Sequence, residues 1–306
     1  MRSLSLLSAV LLVAGAGCVP VPSFHCDNNS TCKLTDGTQG ICELNHTCSF
    51  PDAKCSVTER RYGAEDKATG CVPPGNRCVS GLALAGKHAC ALRTDGVVLC
   101  WGENAFGQLG DGSTTSRAVP TPVVGLPKKA TAVAVGEDHS CVILEDQAVW
   151  CWGDNSKGNL GLGATTPLTS LAPVPVLTRA GTGPSSVFKA TALSAGGGRT
   201  CAIGPDAFIY CWGENKAGTH GGQCGQDPAL FDDVLYATKV EGLESVRQLG
   251  AGDEFTCGVR DDNSVWCFGS NETGSLGNGR AADGTLKDSF VPVAASKMTS
   301  VSQLAV

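Results

Sequence analysis

The sequence predicts an all-β repeat protein behind a small disulfide-rich module, and three observations carry that prediction. One stretch recurs four times without a gap: CALRTDGVVLCWGENAFGQLG at 90, CVILEDQAVWCWGDNSKGNLG at 141, CAIGPDAFIYCWGENKAGTHG at 201 and CGVRDDNSVWCFGSNETGSLG at 257. Its first cysteines, Cys90, Cys141, Cys201 and Cys257, set a period of 51, 60 and 56 residues, the range in which repeats build propellers, solenoids or arrays. Apolar positions alternate in twos, and no window sustains a helical period.

Bulk composition agrees. Of 306 residues 42% are hydrophobic, only 17% are charged and 40 are glycine, which suits a turn-rich β chain. Twenty-three Lys and Arg stand against 29 Asp and Glu, for a formal charge of -6, with no basic run beyond pairs such as Lys128-Lys129. That balance offers little to neutralise a phosphate backbone, so nucleic acid is not an expected partner.

Residues 1–17 read as a secretory signal: Arg2 precedes an apolar run from Leu4 to about Ala16 that is too short to span a bilayer. Gly15-Ala16-Gly17-Cys18 resembles the lipobox of bacterial lipoproteins, which implies a lipid anchor on Cys18, although Gly15 stands where that pattern prefers Leu. The alternative is an ordinary signal with Cys18 as a disulfide partner. Both readings export the chain, and no other stretch is apolar enough to cross a membrane, so contact with a membrane is expected only through Cys18.

Export would place the 17 cysteines in an oxidising compartment, where disulfides persist. Residues 18–80 form the Cys-rich module. Its Cys26, Cys32, Cys42, Cys48, Cys55, Cys71 and Cys78 lie among few large apolar residues, so disulfides must replace a core. Zinc is the alternative, but no pair has the two-residue spacing of a ligand knuckle. Seven cysteines cannot all pair internally, and Cys224, the only unpaired cysteine of the repeats, is the candidate outside partner.

Residues 81–306 hold the repeats. With Thr94-Asp95-Gly96 as a three-residue hairpin loop and Gly96 left-handed, Cys90 falls opposite Cys100. Opposed Cα atoms of an antiparallel pair lie about 4.5 to 5.5 Å apart, within the reach of a disulfide. The same count pairs Cys141 with Cys151, Cys201 with Cys211, and Cys257 with Cys267. These bridges are structural, since thiol redox chemistry favours closer spacing and an electropositive setting.

An aromatic residue and a glycine follow each second cysteine: Trp101-Gly102, Trp152-Gly153, Trp212-Gly213 and Phe268-Gly269. The ring is expected to pack between sheets while glycine lets the backbone turn away. Asn104, Asn155, Asn215 and Asn271 then suit capped turns leading to Gly107, Gly158, Gly218 and Gly274. Glu103, Asp154 and Glu214 read as exposed turn carboxylates, because the fourth repeat has Ser270 there and no His or Cys completes a metal set. His88 and His139 correspond to Arg199 and Phe255, a packing slot. No catalytic, cofactor or metal residues are expected.

Taken together, G-x-x-H-x-C-A-L, then D-G, then C-W-G-x-N-x-x-G-x-L-G resemble the repeat of the regulator of chromosome condensation family, in the cysteine-bearing form of exported bacterial proteins. The resemblance covers residues 82–306. It implies a β-propeller of four-stranded antiparallel blades, with sequence repeat and blade out of phase. Only four full repeats are present, and SVSQLAV at the end matches the start of a fifth, so a C-terminally truncated propeller with open sheet edges is expected.

The expected function is a non-enzymatic, extracytoplasmic scaffold that binds a protein or polysaccharide through propeller loops, on a bacterial outer-membrane or cell-surface lipoprotein or else a secreted protein. The candidate surface is where the repeats diverge, Ala164 to Lys189 and His220 to Gly242. Two alternatives stand beside it: guanine-nucleotide exchange on a small GTPase, the activity of the family's eukaryotic namesake, and secreted enzyme inhibition.

Overall fold

The computed structural model describes residues 41–42, 48–51, 60–62, 79–179, 185–217, 220–279, 281, 284–298 and 301–304. The chain divides into two compact units, Met1–Ser80 and Gly81–Val306. The signal at 1–17, Cys18, Cys26, Cys32, Cys55, Cys71 and Cys78 lie outside the described residues. In the first unit β1 (Ile41–Cys42), β2 (Cys48–Pro51) and β3 (Arg60–Tyr62) form an antiparallel sheet in that order, with residue 42 opposite residue 48.

The second unit is all-β among its described residues, and its four four-stranded sheets each keep the strands in chain order. Blade 1 is β4 (Val79–Ala85), β5 (His88–Arg93), β6 (Val98–Gly102) and β7 (Arg117–Pro122). Blade 2 is β8 (Ala130–Val135), β9 (His139–Leu144), β10 (Val149–Asp154) and β11 (Thr169–Pro175), followed by a projecting arm of β12 (Leu177–Thr178) and β13 (Ser186–Val187). Blade 3 is β14 (Ala192–Gly196), β15 (Arg199–Ile203), β16 (Ile209–Glu214) and β19 (Asp233–Lys239), with a small ribbon of β17 (Lys216–Ala217) and β18 (His220–Gly221) between the last two. Blade 4 is β20 (Val246–Ala251), β21 (Phe255–Arg260), β22 (Val265–Gly269) and β23 (Ser289–Ala294).

The central hairpin of each blade explains the cysteine spacing. In blade 1, Arg93 N donates to Val97 O and Gly96 N to Arg93 O, both at 2.9 Å, so Thr94-Asp95-Gly96 is the loop and Gly96 has φ +86°. Counting back along the alternation puts Cys90 and Cys100 at a non-hydrogen-bonded pair, the closer of the two kinds, and their Cα atoms are 4.1 Å apart. The other three pairs share that distance and register. The left-handed loop position is glycine only in blade 1; elsewhere Gln147 (φ 68°), Ala207 (φ 60°) and Asn263 (φ 64°) occupy it. Asn tolerates this conformation, whereas Gln and Ala are strained in it.

The aromatic-glycine step is a β-bulge. Pairing with the outermost strand shifts register between Cys100 and Gly102, and at the same place in the other blades. Between the two pairings the inner strand advances two residues and the outer strand four, so the extra residues lie in the outer strand opposite Trp101, Trp152, Trp212 or Phe268, and the rings of Trp152, Trp212 and Phe268 pack into the core of the preceding blade. Gly153 shows why glycine must follow: its φ is +106°, and a Cβ there would lie 2.5 Å from Asp138 O. The same crowding recurs at Gly102, Gly213 and Gly269, each against a backbone carbonyl.

The hydrophobic cores lie between blades. Cys90, Leu92, Val98, Cys100 and Leu109 of blade 1 pack with Val142, Leu144 and Trp152 of blade 2. Blade 2 meets Ala202, Trp212 and Ala237 of blade 3 in the same way, and blade 3 meets Phe268 of blade 4. The cystines sit inside these layers: Cys90, Cys100, Cys141, Cys151, Cys201 and Cys211 are all 0% exposed. Blade 4 packs instead against Val301 and Leu304, and Leu304 N donates to Gln248 Oε1 at 3.0 Å.

The gap-free register of the third repeat is corrected. Asn104 O accepts from Gly107 N, Asn155 O from Gly158 N and Asn271 O from Gly274 N, but Asn215 O accepts from Gly222 N, seven positions on instead of three. The β17–β18 ribbon is the insertion, and Gly222-Gln223-Cys224-Gly225 takes the place of Gly107-Gln108-Leu109-Gly110. Cys224 therefore fills the slot of Leu109, Leu160 and Leu276, free and 0% exposed. It is a core residue of blade 3, and burial pushes its thiol up to about 12.

Candidate functional site

Two features of the blades have no counterpart in an isolated hairpin: a polar ladder between blades, and a cleft on the outer side of blades 2 and 3. The ladder starts from the position two before each first cysteine. His88 Nε2 lies 2.8 Å from Ser140 Oγ of blade 2, and His139 Nε2 lies 2.7 Å from Thr200 Oγ1 of blade 3. Ser140 Oγ donates in turn to Gln108 O at 2.9 Å, so His88 must donate through Nε2. Burial lowers His88 to about 4 and His139 to about 3. Arg199 plays the same part at the next junction, donating to Gly252 O, Asp253 O and Phe255 O. The slot that sequence assigned to packing is thus a hydrogen-bonding joint, and Phe255 is its only apolar member.

Tryptophans reinforce the joints. Trp152 Nε1 donates to Gln108 O at 2.8 Å and Trp212 Nε1 to Asn159 O at 3.0 Å, each reaching back to the glycine turn of the preceding blade. Both are 0% exposed. Trp101 is half-buried, and Phe268, which lacks a donor, is buried against blade 3.

Buried asparagines organise the loops toward the outer strands. Asn155 Oδ1 accepts from Leu160 N, and its Nδ2 donates to Ala164 O and Pro167 O at 3.0 and 2.9 Å. Asn104, Asn215 and Asn271 likewise accept from Leu109 N, Cys224 N and Leu276 N. The adjoining carboxylates are half-buried instead of exposed: Glu103 pairs with Lys87 at 3.4 Å, Glu214 with Lys157 at 3.7 Å, and Asp154 caps Ser156. Among the described residues no group of side chains is placed to hold a metal.

The cleft encloses about 560 Å³. One wall is Thr178 and Arg179 of the arm after blade 2; the other is Phe231 and the outer strand β19 of blade 3, with Tyr210 and Gln226 between. The arm exists because Phe188 N donates to Val176 O at 2.8 Å, closing its base. Phe188 then buries against Tyr210 and Trp212, at ring centroid distances of 5.0 and 5.8 Å. Tyr210 is fixed by its hydroxyl's bond to Asp206 Oδ2 at 2.9 Å, and burial with that carboxylate pushes it up to about 12. Lys239 Nζ sits 3.2 Å above the Phe208 ring. Burial, reinforced by Glu214 and Asp232, raises Asp233, and Lys157 opposes it.

The two divergent segments named from sequence meet here, Ala164–Lys189 supplying the arm and His220–Gly242 supplying β19 and the loop before it. None of the cystine or aromatic-glycine residues lines the cleft: three cystine pairs lie with Trp152, Trp212 and Phe268 in the layers between blades, Cys257 and Cys267 lie in the cluster of blade 4 with Val301 and Leu304, and Trp101 is half-buried on blade 1. Sequence reasoning missed the ladder; the hydroxyls at Ser140, Thr200 and Thr256, each one before a first cysteine, were its only signal.

Comparison with known proteins agrees with this geometry. The sequence model of the regulator of chromosome condensation (RCC1) repeat matches residues 95–143 and 146–203, and a second model of that repeat matches 130–159 and 246–275. The match at 95–143 starts in the hairpin loop of blade 1 and ends in β9 of blade 2, so repeat and blade are out of phase. The ultraviolet-B receptor UVR8 of Arabidopsis thaliana is 27% identical over 78% of this chain and 52% of its own length. The probable E3 ubiquitin-protein ligase HERC6 of Homo sapiens is 31% identical over 64% of this chain and 19% of its own length. The chain thus spans about half the length of the receptor and less of the ligase. Among solved structures, Prp20p from Saccharomyces cerevisiae, reported with its binding to Gsp1p and histones, superposes with a TM-score of 0.60 at 19% identity over 73% of this chain and 51% of that one. Human WBSCR16 gives 0.57 at 20% identity over 73% and 55%.

Proposed function

From a chain that carries regulator of chromosome condensation (RCC1) repeats folded as propeller blades, we propose an extracytoplasmic scaffold that binds rather than transforms its ligand, held in the cleft between the arm of blade 2 and the outer strand of blade 3. The observation that carries this is the convergence of the two segments where the repeats diverge on one concavity of about 560 Å³, a size suited to ligand binding. Rigid blades with pegged loops supply the preorganisation such a site needs. Export, with Cys18 as lipid anchor, belongs to the proposal. It is supported by four cross-strand cysteine pairs at bonding distance, a chemistry that persists in oxidising compartments. The same pairs speak against nucleotide exchange on a cytosolic GTPase.

The test removes the arm. Because Val176 and Phe188 are hydrogen-bonded at its base, residues 177–187 can be replaced by Asn-Gly. The shortened protein should keep its circular dichroism and unfolding midpoint within a few degrees while losing extracellular ligand capture. Capture retained in full by the folded, armless protein overturns the assignment. Nucleotide release from a GTPase, assayed in parallel, should stay at the uncatalysed rate.

A further inference from the structure

We propose that the cleft binds a neutral oligosaccharide, an inference that rests on the cleft reading above and deepens it. The lining pairs ring faces with short polar groups. Phe231 is 47% exposed and Tyr210 and Tyr236 are half-buried, so aromatic faces are offered to the cleft. Beside them stand the Asp233 carboxylate and the Arg179 guanidinium, with the Thr178 hydroxyl, which bonds Ser186 Oγ across the arm at 2.8 Å, and the Gln226 amide, whose Nε2 donates to Lys239 O. A pyranose ring is amphipathic in the same way: its axial C–H bonds cover a ring face, and its equatorial hydroxyls reach planar groups that accept or donate two hydrogen bonds at once.

Charge and backbone exclude the other occupants. The lining holds two cations, Arg179 and Lys239, and one carboxylate, Asp233; with the Lys239 ammonium seated over the Phe208 ring, Arg179 and Asp233 leave one charge of each sign to meet a ligand. The Asp233 carboxylate makes no hydrogen bond among the described residues and remains available to a ligand hydroxyl. An extended peptide would add to the edge strand β19 through main-chain bonds, but three of that strand's carbonyls are taken. Leu235 O accepts from Gly163 N at 2.8 Å, Tyr236 O from Thr238 Oγ1 at 2.9 Å, and Lys239 O from Gln226 Nε2 at 3.0 Å.

The experiment is isothermal titration of the full chain with hexasaccharides of β-1,4-glucose, β-1,3-glucose, β-1,4-xylose, β-1,4-N-acetylglucosamine and α-mannose. At least one should bind with a dissociation constant below about 1 mM, and Phe231→Ala and Asp233→Asn should each weaken it at least tenfold without moving the unfolding midpoint. Phe231 is exposed, so its variant folds, and Asp233→Asn conserves shape. No binding of any hexasaccharide, or binding that both variants retain, overturns the proposal. If none binds while protein capture still depends on the arm, the sugar assignment fails and the cleft reading survives; if capture ignores the arm as well, both fail.

Discussion

Acidification should loosen the first two blade junctions and spare the third. His88 is 5% exposed and His139 0% exposed, and burial holds them at about 4 and about 3, whereas an unfolded chain protonates histidine near pH 6.5. A histidine whose folded value is depressed binds its proton more readily when unfolded, so its neutral form contributes full stability above pH 6.5 and loses it as pH falls. At pH 5 the difference in proton binding costs about 2 kcal/mol for each histidine, about 4 kcal/mol together. Arg199 at the third junction does not titrate in this range. Urea unfolding at pH 7 and pH 5 measures the change, with His88→Gln/His139→Gln as reference because Gln keeps an N–H donor and carries no charge. The native protein should lose about 4 kcal/mol more than the double variant between the two pH values. Equal losses, or imidazole titrations near 6.5 in the folded protein, would refute the burial argument.

Four further substitutions probe the blades. Gly153→Ala forces a Cβ to 2.5 Å from Asp138 O at φ +106° and should cost about 3 kcal/mol or more in chemical denaturation. Gln147→Gly and Ala207→Gly relieve left-handed strain at φ 68° and 60° and should each stabilise by about 0.5 kcal/mol net of glycine entropy, raising the urea midpoint; no gain would mean the loops differ from those described. Trp152→Phe removes the bond to Gln108 O and should cost about 1 kcal/mol, with native tryptophan fluorescence reporting whether the fold persists.

The parts legible in sequence were those set by local counting. Cys90 faces Cys100 because strand alternation and a three-residue loop fix the register within one hairpin. Trp152-Gly153 reads as an aromatic pack and a backbone turn for the same local reason. The ladder was not legible, since His88 meets Ser140, Arg199 meets the 252–255 turn, and nothing local links His, Arg and Phe as occupants of one joint. The third repeat misled because Gly218 imitates Gly107 in spacing. The true equivalent, Gly222-Gln223-Cys224-Gly225 beside Gly107-Gln108-Leu109-Gly110, was visible as a near-copy displaced by the insertion. The cleft was half legible: its two segments stood out as divergent, but their meeting depends on how blade 2 stacks on blade 3.

The cystines decide whether the blades belong outside the cytoplasm, and peptide mapping of protein recovered from cells under non-reducing conditions tests them directly. Linked peptides should join Cys90 to Cys100, Cys141 to Cys151, Cys201 to Cys211 and Cys257 to Cys267, with Cys224 labelled by a thiol reagent only after unfolding. Free thiols at those eight positions, or Cys224 linked to another cysteine, would contradict this pairing.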